Sequence, residues 1–177
     1  MAEIVGYIAS SLDGYIATKQ GRLEWLFKYN DMDQGEFPYA KFMGSITIVV
    51  MGRDTYDFLA AEETPWPYPD QQAIVVTSRP ITNPKGNIEI WHDSIDALIT
   101  NLRGRPDGKV WMLGGGRLQS AFIERGALDE IEIYVIPELI GSGIPLFPAS
   151  EIALSPKLIS ATTLGLGVVR LHYRLAP

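Results

Sequence analysis

Three short stretches hold the residues best suited to chemistry. "WMLGGGRLQSAF", residues 111–122, sets Gly114, Gly115 and Gly116 between an apolar run and an amphipathic one. Glycine is costly inside regular elements. Three together at a junction mean either a turn that no side chain permits or a close approach by a ligand. The helix expected after them, opening with Arg117 and Leu118, offers unpaired backbone N–H groups and the positive end of its dipole, which suits an anion. "VVMGRDTYD", 49–57, repeats the logic: a buried strand ends at Gly52, and Arg53 and Thr55 follow in the first helical turn. Arginine complements a helix dipole poorly there but serves a bound anion well as a forked donor. "IVVTSRP", 74–80, is a third strand, ending in Thr77, Ser78 and Arg79. Each arginine alone reads as a solvated surface charge. At matching strand ends they read jointly as a nucleotide-phosphate site.

The elements that must position these residues follow from periodicity. Strands are expected at 3–10, 46–52, 72–78, 87–92, 109–113, 129–137, 157–163 and 167–175. Runs such as "ITIVVMG" are continuously apolar and β-branched, as in strands buried on both faces. Short helices are expected at 22–29, 36–43 and 53–60. Ser94 caps a longer one that ends at Gly104, and another follows the glycines up to Gly126. Asp13-Gly14 reads as a hairpin turn, and 63–70 as a proline-rich loop. In the last strand Arg170, His172 and Arg174 alternate with Val169, Leu171, Tyr173 and Leu175, the pattern of a half-exposed antiparallel strand. His92 and His172 read as strand-edge residues. Strands alternating with helices, then a helix-free end, predict one α/β domain over 1–177: a mostly parallel central sheet with an antiparallel C-terminal edge and flanking helices.

Composition bounds the function. The 177 residues carry a formal net charge of −6 and are 46% hydrophobic, which argues against general nucleic-acid or anionic-membrane binding. No apolar run approaches the roughly 18 residues of a membrane span. Glu3 stands where a signal peptide would be positive. There is no cysteine, so disulfides and thiolate metal sites are excluded, and a cytoplasmic setting is expected. The two histidines are not at ligand spacing, so no metal site is expected.

With these residues in view, the chain resembles the dihydrofolate reductase-like superfamily, and within it the reductase domain of riboflavin biosynthesis. The resemblance runs through "YIASSLDGYIA", the Trp25-Leu26 pair, "VVMGRDTYD", "VVTSRP", "VWMLGGGRL" and "LDEIEIYVIPELIGSGIPLFP". It implies a three-layer dihydrofolate reductase-like fold and NADPH as hydride donor. Gly52 and the Gly114–Gly116 turn, often carrying a cis peptide in such folds, would meet the cofactor. Arg53, Thr55, Thr77, Ser78, Arg79 and Arg117 match the phosphate-side positions. Ala9 and Ile16 match the backbone flanking the nicotinamide.

The same resemblance places a carboxylate sixteen residues before Gly52, at Glu36. Glu36 would grip a pterin-like ring and assist its protonation, with its pKa raised by burial. A first-turn helix residue favoured by the dipole is the other reading, and Glu24, Asp31 and Asp33 lie close by. Tyr134 matches a substrate-side hydroxyl. Trp25 lines the pocket or sits in the core. The segment "EETPWPYPD" lacks the basic residues and "D-P-x-L-T-x-R" pattern of riboflavin-type reductases, which leaves the substrate open between a pyrimidine intermediate of riboflavin synthesis and dihydrofolate. A non-catalytic nucleotide-binding protein is the alternative. A homodimer is expected through the edge formed by "IEIYVIP" and "VVRLHYRL".

Overall fold

In the computed structural model, which describes residues 1–105 and 108–175, an eight-stranded sheet runs through the molecule. Its strands are β1 (Glu3–Ser11), β3 (Ile46–Gly52), β4 (Gln72–Val76), β5 (Ile88–Trp91), β6 (Lys109–Gly114), β7 (Glu130–Ile136), β9 (Lys157–Thr163) and β10 (Val169–Arg174). Their order is β5-β4-β3-β6-β1-β7-β10-β9. The strands from β5 to β7 are parallel. The final hairpin, β10 and β9, is antiparallel.

The central strands are apolar throughout because both faces are covered. In β3, Ile48 and Val50 pack on one side with Val110, Met112, and Leu98, Leu102 and Phe122 from α3 (Ile95–Arg103) and α4 (Gly116–Glu124). Val49 and Met51 pack on the other with Trp111 and with Tyr56 of α2 (Arg53–Ala61). Ser94 caps α3 as expected, its hydroxyl accepting from the Ala97 N–H. The 63–70 loop is packed rather than free: Tyr68 is buried and meets Trp111 edge-on.

Several expectations need correction. The chain after Asp13-Gly14 does not return along β1; β2 (Tyr15–Ala17) pairs with β8 (Ile144–Pro145). The Asp13 carboxylate explains this, because it accepts from the Gly141 N–H at 2.7 Å, the Ile140 N–H and the Ser11 hydroxyl. The Ser11 hydrogen bond, with those backbone donors, holds the Asp13 carboxyl below its ordinary value. Residues 24–29 form a 3-10 helix, and the helix expected at 36–43 shrinks to α1 (Tyr39–Met43), preceded by Pro38 in extended conformation. β7 and β10 are interior strands; the edges are β5 and, on the C-terminal side, β9. The polar side of β10 is exposed only at its end: Arg170 is 3% accessible, while Arg174 stays exposed.

Candidate active site

The carboxyl ends of β3 and β6 lie side by side, with Met51 paired to Gly114. Each runs directly into a helix of nine residues, α2 and α4, and neither helix has a side-chain cap at its N-terminus. Two sets of unpaired N–H groups and two positive dipole ends therefore open at one place. The glycines divide their roles. Gly115 has φ +94, a conformation that side chains rarely adopt, so the turn itself demands it. A Cβ on Gly116 would sit 3.3 Å from Pro148. A Cβ on Gly52 would meet nothing within 4 Å, so Gly52 leaves open space in front of the helix end. The junction is built from trans peptides.

Around this cradle the structure gathers most of the sequence-predicted donors. Arg53 Nε donates to Asp57 at 2.7 Å, and its guanidinium also reaches the carbonyls of Arg79 and Pro80. Arg79 pairs with Asp54 at 3.1 Å, with both groups exposed. Arg117 is exposed. Thr55 Oγ1 lies 3.6 Å from where a Gly114 Cβ would stand. Thr77 works locally: its hydroxyl accepts from the Arg79 N–H and shapes the turn that presents Ser78 and Arg79. Leu118 is buried in the core behind the cradle. Ile16 is brought in through the β2–β8 pair, since a Cβ on Gly116 would also lie 3.4 Å from the Pro145 carbonyl. The residues fit a nucleotide phosphate: uncapped N–H groups, an open glycine surface and cations held by carboxylates that an anion can displace.

Along β1 and β7, toward the amino ends of the strands, the character changes. Ala9 pairs with Tyr134 and Tyr7 with Glu132. On β10, Arg170 stands opposite Tyr134 and His172 opposite Glu132. A stripe of polar groups thus crosses three strands on one sheet face. It borders a cleft of about 260 Å³ lined by Tyr7, Phe37, Phe42, Glu132, Tyr134 and His172, among others. Arg170 donates to Glu132 Oε2 at 2.7 Å and lies 4.0 Å from the Phe37 ring centre. His172 Nε2 lies 2.8 Å from Glu130 Oε2. Burial, with the neighbouring Tyr134 hydroxyl, pushes the Tyr7 phenol far up, and burial raises Tyr134 as well.

Glu36 is not part of this cleft. It sits in an exposed turn before α1, because the shortened helix no longer carries position 36 over the sheet. The expected burial of its carboxylate is therefore corrected. Trp25 belongs to the cluster holding Tyr7, Ala9, Phe37 and Tyr134, and its indole N–H is buried without a partner among the described residues. Tyr7 and Glu132 carry no motif of their own in the sequence, and Arg170 and His172 read there only as the polar face of a half-exposed strand. The available signal was a polar residue at every second position of two strands, Glu130, Glu132 and Tyr134 against Arg170, His172 and Arg174.

Comparison with known proteins agrees with this geometry. Residues 3–170 match the RibD C-terminal domain family. The chain is 33% identical over 168 residues to YwjB of Bacillus subtilis (strain 168), an uncharacterized protein, covering 94% of each. Among solved structures it is similar to a "Putative riboflavin biosynthesis protein" from Shewanella sp. PV-4, with a TM-score of 0.86, 28% identity and full coverage of both chains. It is also similar in fold to dihydrofolate reductase from Enterococcus faecalis in complex with NADP(H) (TM-score 0.68, 20% identity, 99% of this chain and 97% of that one). With a dihydrofolate reductase-like sheet, a glycine cradle at two helix ends and this match over nearly its whole length, the chain belongs to the RibD C-terminal domain family of reductase-type proteins.

Proposed function

We propose that this chain is an NADPH-dependent reductase of a flat nitrogen heterocycle, acting as a single domain and as a homodimer. One observation carries the reading: two uncapped helix N-termini converge on the open surface of Gly52 and the Gly114–Gly116 turn, beside Arg53, Arg79 and Arg117. In this reading the cofactor supplies the hydride. Arg53, Thr55, Ser78, Arg79 and Arg117 hold its phosphates, with Thr77 shaping the turn and Leu118 backing the helix start. Ala9 and Ile16 flank the nicotinamide. Trp25 and Tyr134 lie on the substrate side. The substrate is a pyrimidine intermediate of riboflavin synthesis or dihydrofolate.

A second reading, a nucleotide-binding protein without turnover, draws support from the exposed position of Glu36. Titration with NADPH and NADH, followed by absorbance at the nicotinamide band with each heterocycle, separates the two. NADPH binding with consumption supports the reductase. Tight NADPH binding with no heterocycle reduced supports the non-catalytic protein. Failure to bind either nucleotide overturns both.

A further inference from the structure

We infer that Trp66, helped by Tyr56, is a positioning residue for the cofactor's 2′-phosphate: it braces the connection between β4 and β5 so that Ser78 and Arg79 face the glycine cradle, and so sets a preference for NADPH over NADH. The inference rests on the NADPH reading proposed above. Two parallel strands are ordinarily joined through a helix. β4 and β5 are parallel neighbours, yet the described residues between Val76 and Ile88 form no helix. The connection has no hydrogen-bond ladder of its own, so side chains from elsewhere must fix it. Arg79 depends on this most. Its side chain is 60% accessible and that of its partner Asp54 is 99% accessible, and an exposed ion pair of this kind holds little by itself.

The connection is braced at both ends. Beside β4, the Thr77 hydroxyl accepts the Arg79 N–H at 3.0 Å, and the Arg53 guanidinium donates to the Arg79 and Pro80 carbonyls. Beside β5, the Tyr56 hydroxyl accepts the Lys85 N–H at 2.8 Å, and Lys85 Nζ donates to the Glu62 carbonyl. Trp66 completes this far end. Gly86 has φ +82, and a Cβ on it would stand 2.6 Å from the Trp66 ring, so the indole packs directly on the glycine backbone. Ile81, midway along the connection, packs into the same cluster as Tyr56 and Trp66. The indole is held in turn. The rings of Tyr56 and Tyr68 lie 5.8 Å from it, centre to centre, and both tyrosines are buried. Pro65 and Pro67 flank Trp66 in sequence and restrict the backbone on either side. The indole N–H is buried without a partner among the described residues, a desolvation cost that Phe would not carry. The position therefore uses the ring and not the N–H. The segment "ETPWPYPD", which lacks a substrate-binding pattern, thereby acquires a role on the cofactor side.

Calorimetry with NADPH and with NADH tests this on the full chain, in wild type, Trp66→Leu, Trp66→Phe, Tyr56→Phe, Arg79→Ala and the Trp66→Leu/Arg79→Ala double variant. Wild type is expected to prefer NADPH. Trp66→Leu should weaken NADPH by about fivefold or more, part of the worth of a charge-assisted bond, and leave NADH within about twofold. Trp66→Phe should restore most of the preference, and Tyr56→Phe should weaken NADPH by roughly two- to threefold. A merely structural role lowers Tm but leaves the ratio of the two affinities alone. In the Arg79→Ala background Trp66→Leu should cause no further loss of NADPH, because residues that act through one contact are not additive. Should Trp66→Leu fail to fold, Tyr56→Phe, which removes a single hydroxyl, decides by the same ratio. The inference is overturned if wild type takes both nucleotides equally, if folded Trp66→Leu (or, in its place, Tyr56→Phe) leaves the ratio unchanged, or if the loss persists in full in Arg79→Ala. Wild type that binds neither nucleotide sinks the NADPH reading and the brace together; a wild-type preference for NADPH with unchanged ratios in the variants sinks the brace alone.

Discussion

At the scale of single residues, Gly52 and Gly115 separate the two reasons for placing glycine at a strand–helix junction. Gly115 occupies φ +94, so Gly115→Ala strains the backbone by about 1–3 kcal/mol. At this chain length that lowers Tm by roughly 2–4 °C per kcal/mol. Gly52 has φ −79 and ψ 168, which any residue adopts, with no atom within 4 Å of its would-be Cβ. Gly52→Ala should therefore melt near the wild-type temperature and yet bind NADPH at least tenfold more weakly. Normal NADPH affinity in that variant, read by calorimetry, would mean that no ligand approaches Gly52. Arg79 tests the cofactor's 2′-phosphate. Its partner Asp54 is exposed and easily displaced by a phosphate. Arg79→Ala should weaken NADPH by about 1–3 kcal/mol, the range of a lost charge-assisted bond, and change NADH little. Equal losses for both nucleotides would move Arg79 away from that phosphate.

Among the elements, a partly buried ion pair ties the parallel half of the sheet to α3. Arg103, in the last turn of α3, meets both oxygens of Asp129 at 2.5 and 2.8 Å and also donates to the carbonyls of Ala2 and Ala127. Asp129 Oδ2 accepts the Ile4 N–H as well. The Asp129 hydrogen bonds, partly offset by burial, raise the Arg103 guanidinium above its ordinary value. Removing the carboxylate leaves a cation and a backbone donor without a partner, so Asp129→Ala should destabilise the fold by about 3 kcal/mol, near the low end for a broken buried pair. Chemical denaturation checks this. A loss below about 1 kcal/mol would class the pair with exposed surface bridges. The junction between β1 and β7 is where such a loss would be felt first, because Ile4 and Asp129 anchor both strands.

For the whole molecule, acid sensitivity and assembly follow from the C-terminal hairpin. Burial pushes the Glu130 carboxyl up, but hydrogen bonds from Arg174 and His172 outweigh it and hold the group below its ordinary value. A depressed folded-state pKa means that this contribution is complete above roughly pH 4.3, the unfolded value, and is lost as pH falls through the lower folded value. Stability measured in urea should therefore drop below about pH 4 more steeply in wild type than in Glu130→Gln; parallel curves would remove Glu130 from the acid response. The C-terminal edge is β9, where Leu158 and Ile159 are 50% and 43% accessible. An exposed apolar edge strand invites pairing with another copy, and light scattering should show a dimer at micromolar concentration that Leu158→Lys converts to monomer. A wild-type monomer would end the dimer proposal.

The sequence by itself determined the two strand–helix junctions of this protein. A buried strand, a glycine and the first turn of a helix are all local, so "VVMGRDTYD" and "WMLGGGRL" announced both junctions and the parallel sheet that aligns them. The polar cleft was decided only by tertiary structure. Glu132, Arg170 and His172 alternate with apolar residues, a pattern that reads as one solvated face of an edge strand. In the folded chain β9 takes the edge, Phe37 and Phe42 close over that face, and cross-strand register sets the three side chains beside Tyr7. Glu36 failed in the opposite direction: the spacing to Gly52 survives, but Pro38 starts α1 too late to carry position 36 over the sheet. Local propensity fixes where a strand hands over to a helix. Which polar residues are buried together depends on what packs over them from distant parts of the chain, and short-range pattern carries no record of that.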